Sequence, residues 1–328
     1  MGYPSVFPTG VLVYNKEKAY NGYTIYPSAK GALLIDMNGN EVNLWAGLGG
    51  FPNKILPGGY VMGTTGERGG KYAYQDQLDL VQVDYDGNIV WKFDHNELIA
   101  DPGKEPTWQA RQHHDYQREG NLLVFDNGGE GGYGNPNPSA PTGNNNAHRD
   151  YSRVLEFDPI TLEIIWQYTP LEAGNLLFTD ASKFYSSYIS SAQRLPNGNT
   201  LITEGSDGHL IEVTPEHEIV WEYVNPYFKN IGGNFKMNMV YRAYRAPYEW
   251  VPQATHGEEV SIEPLDVETF RVPGASKGAG TGKVTVVAGV DPNRSSVTGM
   301  NGDDDDSDDE RLDFCVASVK KGDLKEEK

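Results

Sequence analysis

From Ser190 to Tyr223 the chain reads SSAQRLPNGNTLITEGSDGHLIEVTPEHEIVWEY. Short apolar runs with period-two alternation are separated by PNGN, GSDG and TPEHE, the pattern of strands joined by turns. The unit is a strand, a Gly-containing turn, a second strand, a loop, an alternating strand, a tight turn and a last strand that carries Trp221. It recurs along the chain. HHDYQREGNLLVFDN from His113, continued after an insertion by SRVLEFDPITLEIIWQY to Tyr168, sets Gln117 on Gln193, Arg118 on Arg194 and Asn121 on Asn199. KILPGGYVMGTT from Lys54 with LDLVQVDYDGNIVWKF to Phe93 is a weaker copy, and ALLIDMNGNEVNLW, ending at Trp45, is a partial one.

A four-stranded antiparallel unit returning at roughly 40 to 45 residues is the signature of a β-propeller blade. A single blade cannot bury both of its faces. Arranged radially, each blade packs its Trp and β-branched residues on the next, and ring closure protects the sheet edges. The sequence therefore predicts an all-β fold, a β-propeller of four-stranded antiparallel blades. Four blades are recognisable between about Gly10 and Tyr223. Residues 235–290, with MVYRAYR, ETFRV and KVTVVAGV, are expected to add one or two, including strands that close the ring with the N-terminus, which makes five or six. Residues 1–300 read as a single propeller domain, interrupted at 128–150 by a surface loop rich in Gly, Asn and Pro. Residues 301–328 read as an acidic, disordered tail: DDDDSDDE, Asp303 to Glu310, holds seven acids in eight residues, and a weak cation site is its alternative reading.

The 328 residues carry a net charge of −19; eleven acidic against five basic residues in 301–328 account for −6 of it and leave −13 on the body. Such a field repels nucleic acid and anionic lipid. No nucleic-acid partner is expected. No apolar run approaches the ~20 residues that span a bilayer, so membrane insertion is not expected either. MGYPSVFPTG lacks the basic and apolar regions of a secretion signal, and a single cysteine, Cys315, excludes an internal disulfide without fixing the compartment. The GxSxG elbow, the GxxxxGK[ST] phosphate loop and HExxH are all absent, which takes support from the familiar hydrolase and nucleotide-binding readings.

The first strand of a propeller blade lies nearest the central axis, where pockets form. His113 and His114 fall on such a strand, while the next copy has Ile189 and Ser190 in their place. The imidazoles are thus additions to the repeat. Alternation sends neighbours to opposite faces: His114 shares its parity with Tyr116 and Arg118, and His113 with Arg111, Asp115 and Gln117. Register favours His114 as the channel-facing one, with Asp115 placed to orient a neighbouring ring. The plainer alternative is a hydrogen-bonded pair that stabilises a blade edge. No second cluster supplies further ligands at a recognisable spacing, so no metal is expected. His95, His209 and His217 sit at or near turns and read as solvated, and His148 and His256 lie in irregular segments.

Arg111, Arg118, Arg194, Arg242 and Arg245 lie on or near equivalent strands, and in so acidic a chain they are natural anchors for an anionic substrate; pairing with surface carboxylates is the alternative for each. VYRAYRAPYEW, from Val240, adds Tyr241, Tyr244, Tyr248 and Trp250 to two arginines three apart, a composition suited to an aromatic ligand with a negative charge.

Together FPTGVLVYNKEKAYNGYTIY, LLIDMNGNEVNLW, HHDYQREGNLLVFDNGG, SRVLEFDP, the 190–227 segment and VYRAYRAPYEWVP resemble the arylsulfotransferase family, the bacterial type that works without a nucleotide sulfate donor. The resemblance runs from about Phe7 to Pro273. It implies a six-bladed propeller in which a histidine near the central channel takes a sulfuryl group from an aryl sulfate and passes it to a phenol, with no cofactor. By position His114 or His113 is the nucleophile; Arg111, Arg118, Arg194, Arg242, Arg245 and Tyr244 are the candidate substrate-binding residues; an aryl sulfate and a phenol are the partners. Characterised relatives are exported, so the resemblance implies a periplasmic or secreted protein. They also bring histidines from several blades, whereas the matching strand here reads SSAQ. A non-catalytic propeller that binds a protein or glycan, or assembles with copies of itself, is the competing class.

Because a run of like charges cannot enter an apolar core, deletion of residues 301–328 is expected to leave the melting temperature nearly unchanged. Calcium-dependent stabilisation that disappears with the deletion would mark a cation site instead.

Overall fold

The computed structural model describes residues 8–66, 79–94, 96–99, 103, 105–110, 116–119, 121–124, 154–158, 160–161, 163–175, 183–186, 189–233, 235–266, 269–271, 273–275, 285 and 288. The chain divides into two compact units, Met1–Leu265 and Asp266–Lys328. In the second, the Phe270 N–H closes a turn on the Asp266 carbonyl at 2.8 Å. All the strands named below belong to the first.

The chain opens with β1 (Gly10–Tyr14), then β2 (Tyr23–Ser28), β3 (Gly31–Ile35) and β4 (Glu41–Ala46). A second meander follows as β5 (Gly49–Leu56), β6 (Tyr60–Thr64), β7 (Leu80–Val83) and β8 (Ile89–Phe93), and after it the hairpin β9 (Asn96–Ile99) and β10 (Thr107–Ala110). Two hairpins come next, β11 (Tyr116–Glu119) with β12 (Asn121–Val124), and β13 (Val154–Phe157) with β14 (Ile164–Tyr168). The repeat that opened the sequence becomes β15 (Ser190–Arg194), β16 (Thr200–Glu204), β17 (His209–Val213) and β18 (Ile219–Val224), followed by β19 (Lys229–Gly232), β20 (Phe235–Met237) and β21 (Tyr244–Ala246). The fold is all-β and its pairings are antiparallel.

Strands distant in sequence complete two sheets. β1 pairs with β18, giving the five-stranded order β1-β18-β17-β16-β15, and β21 pairs with β2, giving a first sheet of order β21-β2-β3-β4. The second sheet is β5-β6-β7-β8. Of the strands expected in residues 235–290, the described residues show β20 in a hairpin with β19, and β21 paired with the N-terminal β2 in the first sheet. Pro247 lacks the N–H that would extend β21, and the following chain binds back on the first unit, where the Asn38 side chain bonds the Val260 backbone at 2.7 and 3.0 Å and Tyr14 forms a single bridge with Ile262. Most of KVTVVAGV lies outside the described residues.

Period-two alternation gives the described sheets two buried faces. In β3, Leu33 and Ile35 pack with Leu201, Leu210, Val220 and Trp221 of the five-stranded sheet, while Ala32 and Leu34 pack with Ile55, Val61 and Val81 of the second sheet. The other face of the second sheet meets Tyr116 of β11 through Met62 and Leu80. The other face of the five-stranded sheet meets Tyr168 of β14 through Ile202 and Ile211.

The repeated tryptophans hold corresponding places. Trp91, Trp166 and Trp221 lie opposite Gln82, Glu156 and Glu212, each beside a bulge. Each indole stacks on the aromatic two residues later, Phe93, Tyr168 or Tyr223, at 6.4, 6.3 and 5.7 Å. In the first sheet Asn43 takes this place and Trp45 sits two residues on. Indole N–H groups then reach a neighbouring sheet's turn: Trp221 donates to the Met37 carbonyl at 2.9 Å, Trp166 to Pro215 at 3.0 Å and Trp45 to Asp84 at 3.0 Å. Those turns are shaped locally. Asp36 and Asp84 accept from backbone N–H groups within their own turns, and Gly39 and Gly87 take positive φ of 81° and 89°. His217 occupies the same place at φ 73°, its ring packed 5.6 Å from Trp166 and 6.1 Å from Tyr168.

Trp221 is 0% exposed, whereas Trp91 and Trp166 are partly exposed. Truncation of Trp221 to Ala is expected to cost about 3 to 5 kcal/mol in urea unfolding, and truncation of Trp91 clearly less. Equal losses would contradict this packing.

Candidate functional site

The first strands of the repeat carry a correspondence seen once register is known: Gln193-Arg-Leu-Pro in β15, Lys54-Ile-Leu-Pro in β5 and Tyr244-Arg-Ala-Pro in β21. The Gln193 amide binds the backbone of β21 twice, accepting from the Arg245 N–H at 2.8 Å and donating to the Arg245 carbonyl at 3.0 Å. Lys54 does the same kind of work on β11. Its ammonium donates to the Tyr116 carbonyl and stands 5.0 Å from the ring centres of both Tyr116 and Tyr244. The Tyr116 hydroxyl donates to the Pro52 carbonyl at 2.9 Å, beside Lys54 on β5. Three first strands, β5, β11 and β21, thus meet at Lys54, and β15 joins them through Gln193.

Of the residues singled out from sequence, His113, His114 and Arg111 lie outside the described residues. Arg118 is on β11 opposite Leu122; its side chain also lies outside them. Tyr244 faces Lys54 across the convergence. Arg242 stacks its guanidinium 5.3 Å from the Tyr241 ring. Arg194 is at the far end of β15: it pairs with Glu156, lies 4.9 Å above Trp166 and donates to Thr200 Oγ1 at 2.6 Å.

Arg245 is enclosed. Its Nε donates to Thr24 Oγ1 at 2.8 Å, and one terminal nitrogen donates to the Tyr20 carbonyl at 2.6 Å and to Glu212 Oε2 at 3.1 Å. Glu212 accepts in turn from the Tyr20 N–H at 2.6 Å and Asn199 Nδ2 at 2.7 Å. Both side chains of the ion pair are 0% exposed, and Trp221 covers the guanidinium at 4.7 Å. Removing either partner would strand a buried charge. This cation ties the five-stranded sheet to the first sheet.

His209, expected to be solvated, is corrected to a buried residue. Its Nδ1 lies 2.8 Å from Glu204 Oε2 and its Nε2 2.8 Å from Glu222 Oε1. The three residues come from β16, β17 and β18, so their proximity is a matter of register and is invisible to local pattern. Burial pulls the imidazole pKa down, but the hydrogen bonds to Glu204 and Glu222 outweigh it and push it up to about 9. The ring is therefore an imidazolium at neutral pH and no nucleophile. Among the described residues no group of three or more His, Cys, Asp or Glu is arranged to hold a metal ion.

The family model described as arylsulfotransferase (ASST) matches residues 80–243, half of the chain. The protein belongs to the arylsulfotransferase family. No curated protein matches it. The arylsulfotransferase match begins on β7 and ends just before β21, so it spans His113, His114, Arg118, Arg194 and Arg242. Lys54, Tyr244 and Arg245 lie outside it; Tyr244 and Arg245 were candidates from the sequence, and Lys54 enters through the structure. The signal for Lys54 was present in the sequence, as its alignment on Gln193, but its meaning needs the strand convergence.

The raised pKa of His209 fixes the sign of a pH effect. Its contribution to stability is fully present below the unfolded value near 6.5 and is lost as pH rises through about 9. Substitution His209→Gln is expected to destabilise the protein by a few kcal/mol at pH 6, and the gap between variant and parent in urea unfolding should shrink toward pH 10. A gap that stays constant would mean that His209 is buried neutral.

Proposed function

We propose that this arylsulfotransferase moves a sulfuryl group from an aryl sulfate to a phenolic acceptor through a histidine intermediate, with His114, or else His113, as the nucleophile. The observation that supports it is the coincidence of two facts: the family match spans the His-His-Asp stretch, and Tyr116, two residues after His114, stands where three first strands meet.

In this reading the ground-state imidazole is neutral, with Asp115 fixing its tautomer. The ring nitrogen attacks sulfur, an N–S bond forms, the S–O bond to the donor breaks, and the aryl group leaves as phenolate. An acceptor phenol then gives its proton to the departed phenolate or to solvent and attacks the same sulfur; a new S–O bond forms, the N–S bond breaks, and the imidazole is regenerated. Positive charge near the transferring group stabilises the equatorial oxygens. Arg111 and Arg242 serve as candidates for that task. Arg245 is assigned to the fold because its guanidinium is enclosed, and Arg194 because it is engaged with Glu156 and Trp166. Arg118, which shares the parity of His114 in the alternation of the sequence, is a further candidate.

The same reading takes the fold as a propeller. The first sheet packs on the second and on the five-stranded sheet, the second sheet packs on β11, and the five-stranded sheet packs on β14. Taking β11–β12 and β13–β14 as one blade split by the 128–150 insertion, this reading counts four blades among the described strands, against the six implied by the resemblance. A periplasmic or secreted location accords with this chemistry through the exported relatives.

Purified protein given 4-nitrophenyl sulfate and a phenol is expected to release nitrophenolate with ping-pong kinetics. The double change His113→Ala, His114→Ala should lower turnover by about a thousandfold or more. Intact turnover in the folded double variant would exclude the assignment. If the parent transfers nothing across a broad donor set, a non-catalytic binding or self-assembling propeller is the better reading.

A further inference from the structure

Gln193 reveals what its place in the repeat requires structurally. A neutral amide bridges to the backbone of the neighbouring first strand, and two hydrogen bonds of 2.8 and 3.0 Å complete the joint. Lys54 occupies the same place in β5 and makes the same kind of bridge, to the Tyr116 carbonyl. The fold alone would be served by glutamine there. The sequence instead puts a cation at the meeting point of β5, β11 and β21, in a chain of net charge −19.

The surroundings of that cation are aromatic. Half-buried Lys54 stands 5.0 Å from the centres of the Tyr116 and Tyr244 rings. Tyr116 is held in place by its hydroxyl bond to Pro52, and Tyr244 by the pairing of β21 with Ile25 of β2. An ammonium flanked by two phenol rings complements an aromatic anion: the charge attracts sulfate oxygens, and the rings offer faces and edges to an aryl group.

We infer that Lys54, framed by Tyr116 and Tyr244, anchors the sulfate of the aryl sulfate donor. The inference rests on the sulfotransfer reading above and names a donor-binding residue for it. Its consequence is asymmetric. Loss of the charge should weaken the anionic donor and leave the uncharged phenol acceptor alone.

The test compares the parent with Lys54→Gln and Lys54→Arg, using 4-nitrobenzenesulfonate as a non-transferable probe in calorimetric titration, with thermal melting and steady-state kinetics alongside. Lys54→Gln keeps a bridging amide and is expected to melt with the parent, to bind the sulfonate about tenfold more weakly or worse, and to raise KM for 4-nitrophenyl sulfate by a similar factor at unchanged acceptor KM. Lys54→Arg should restore most of the affinity. Parent-like sulfonate affinity in Lys54→Gln would overturn the inference, and persisting turnover would then leave the sulfotransfer reading standing. Weak binding joined to an early melt, and not repaired by Arg in a folded protein, would assign Lys54 to the fold and overturn it equally. A parent that neither binds the sulfonate nor turns over the sulfate would remove both readings.

Discussion

Three indole N–H groups in this chain reach across to a backbone carbonyl in the turn of a neighbouring sheet, from Trp221 to Met37, Trp166 to Pro215 and Trp45 to Asp84. Apolar burial is non-directional, so it brings sheets together without fixing how they sit. An indole that must find an acceptor supplies the missing direction, since a buried N–H left unpaired costs about 1 to 3 kcal/mol. The turn that receives it is itself set by an Asp or Thr at its start and by a positive-φ residue near its end. Ring stacking on the residue two places later keeps each of Trp91, Trp166 and Trp221 in line. The positions of the first strands, and so of the candidate site, follow from this joint.

Inside that frame the positive charges divide by what holds them. Arg245 and His209 are sealed between carboxylates, where the cost of burial is met by Glu212 in one case and by Glu204 and Glu222 in the other. They hold strands together. Lys54 and Arg242 instead lie against tyrosine rings at or beside the first strands. This separation explains why Arg242, just before β21, and Arg245, within it, are given different tasks although they stand three residues apart.

Much of the fold was legible because strand alternation and the Trp spacing are local signals. LIEV, LVQV and VLEF announce β17, β7 and β13, and the PNGN and DGN turns announce where those strands' neighbours begin. What stayed hidden was non-local. The pairing of β21 with β2 joins residues more than two hundred positions apart and places β21 at the edge of the first sheet. His209 looked like a turn residue until β16 and β18 brought a carboxylate to each ring nitrogen. Arg245 looked like a substrate anchor for the same reason: its partners come from two distant segments, Tyr20 and Thr24 around the start of β2 and Glu212 on β17. The proposed nucleophiles, His113 and His114, were read from their departure from the repeat, a signal that sequence carries directly.

The central claim is that a histidine of the His113–His114 pair becomes covalently sulfated during turnover. Rapid quenching into alkaline denaturant of the protein mixed with 4-nitrophenyl sulfate alone, followed by peptide mapping without acid in a mass spectrometer, tests it most directly. The account predicts one added sulfuryl group, confined to the peptide that contains His113 and His114 and discharged when a phenol is supplied before the quench. Turnover with an unmodified peptide at every quench time, or a sulfuryl group on another residue, would contradict it.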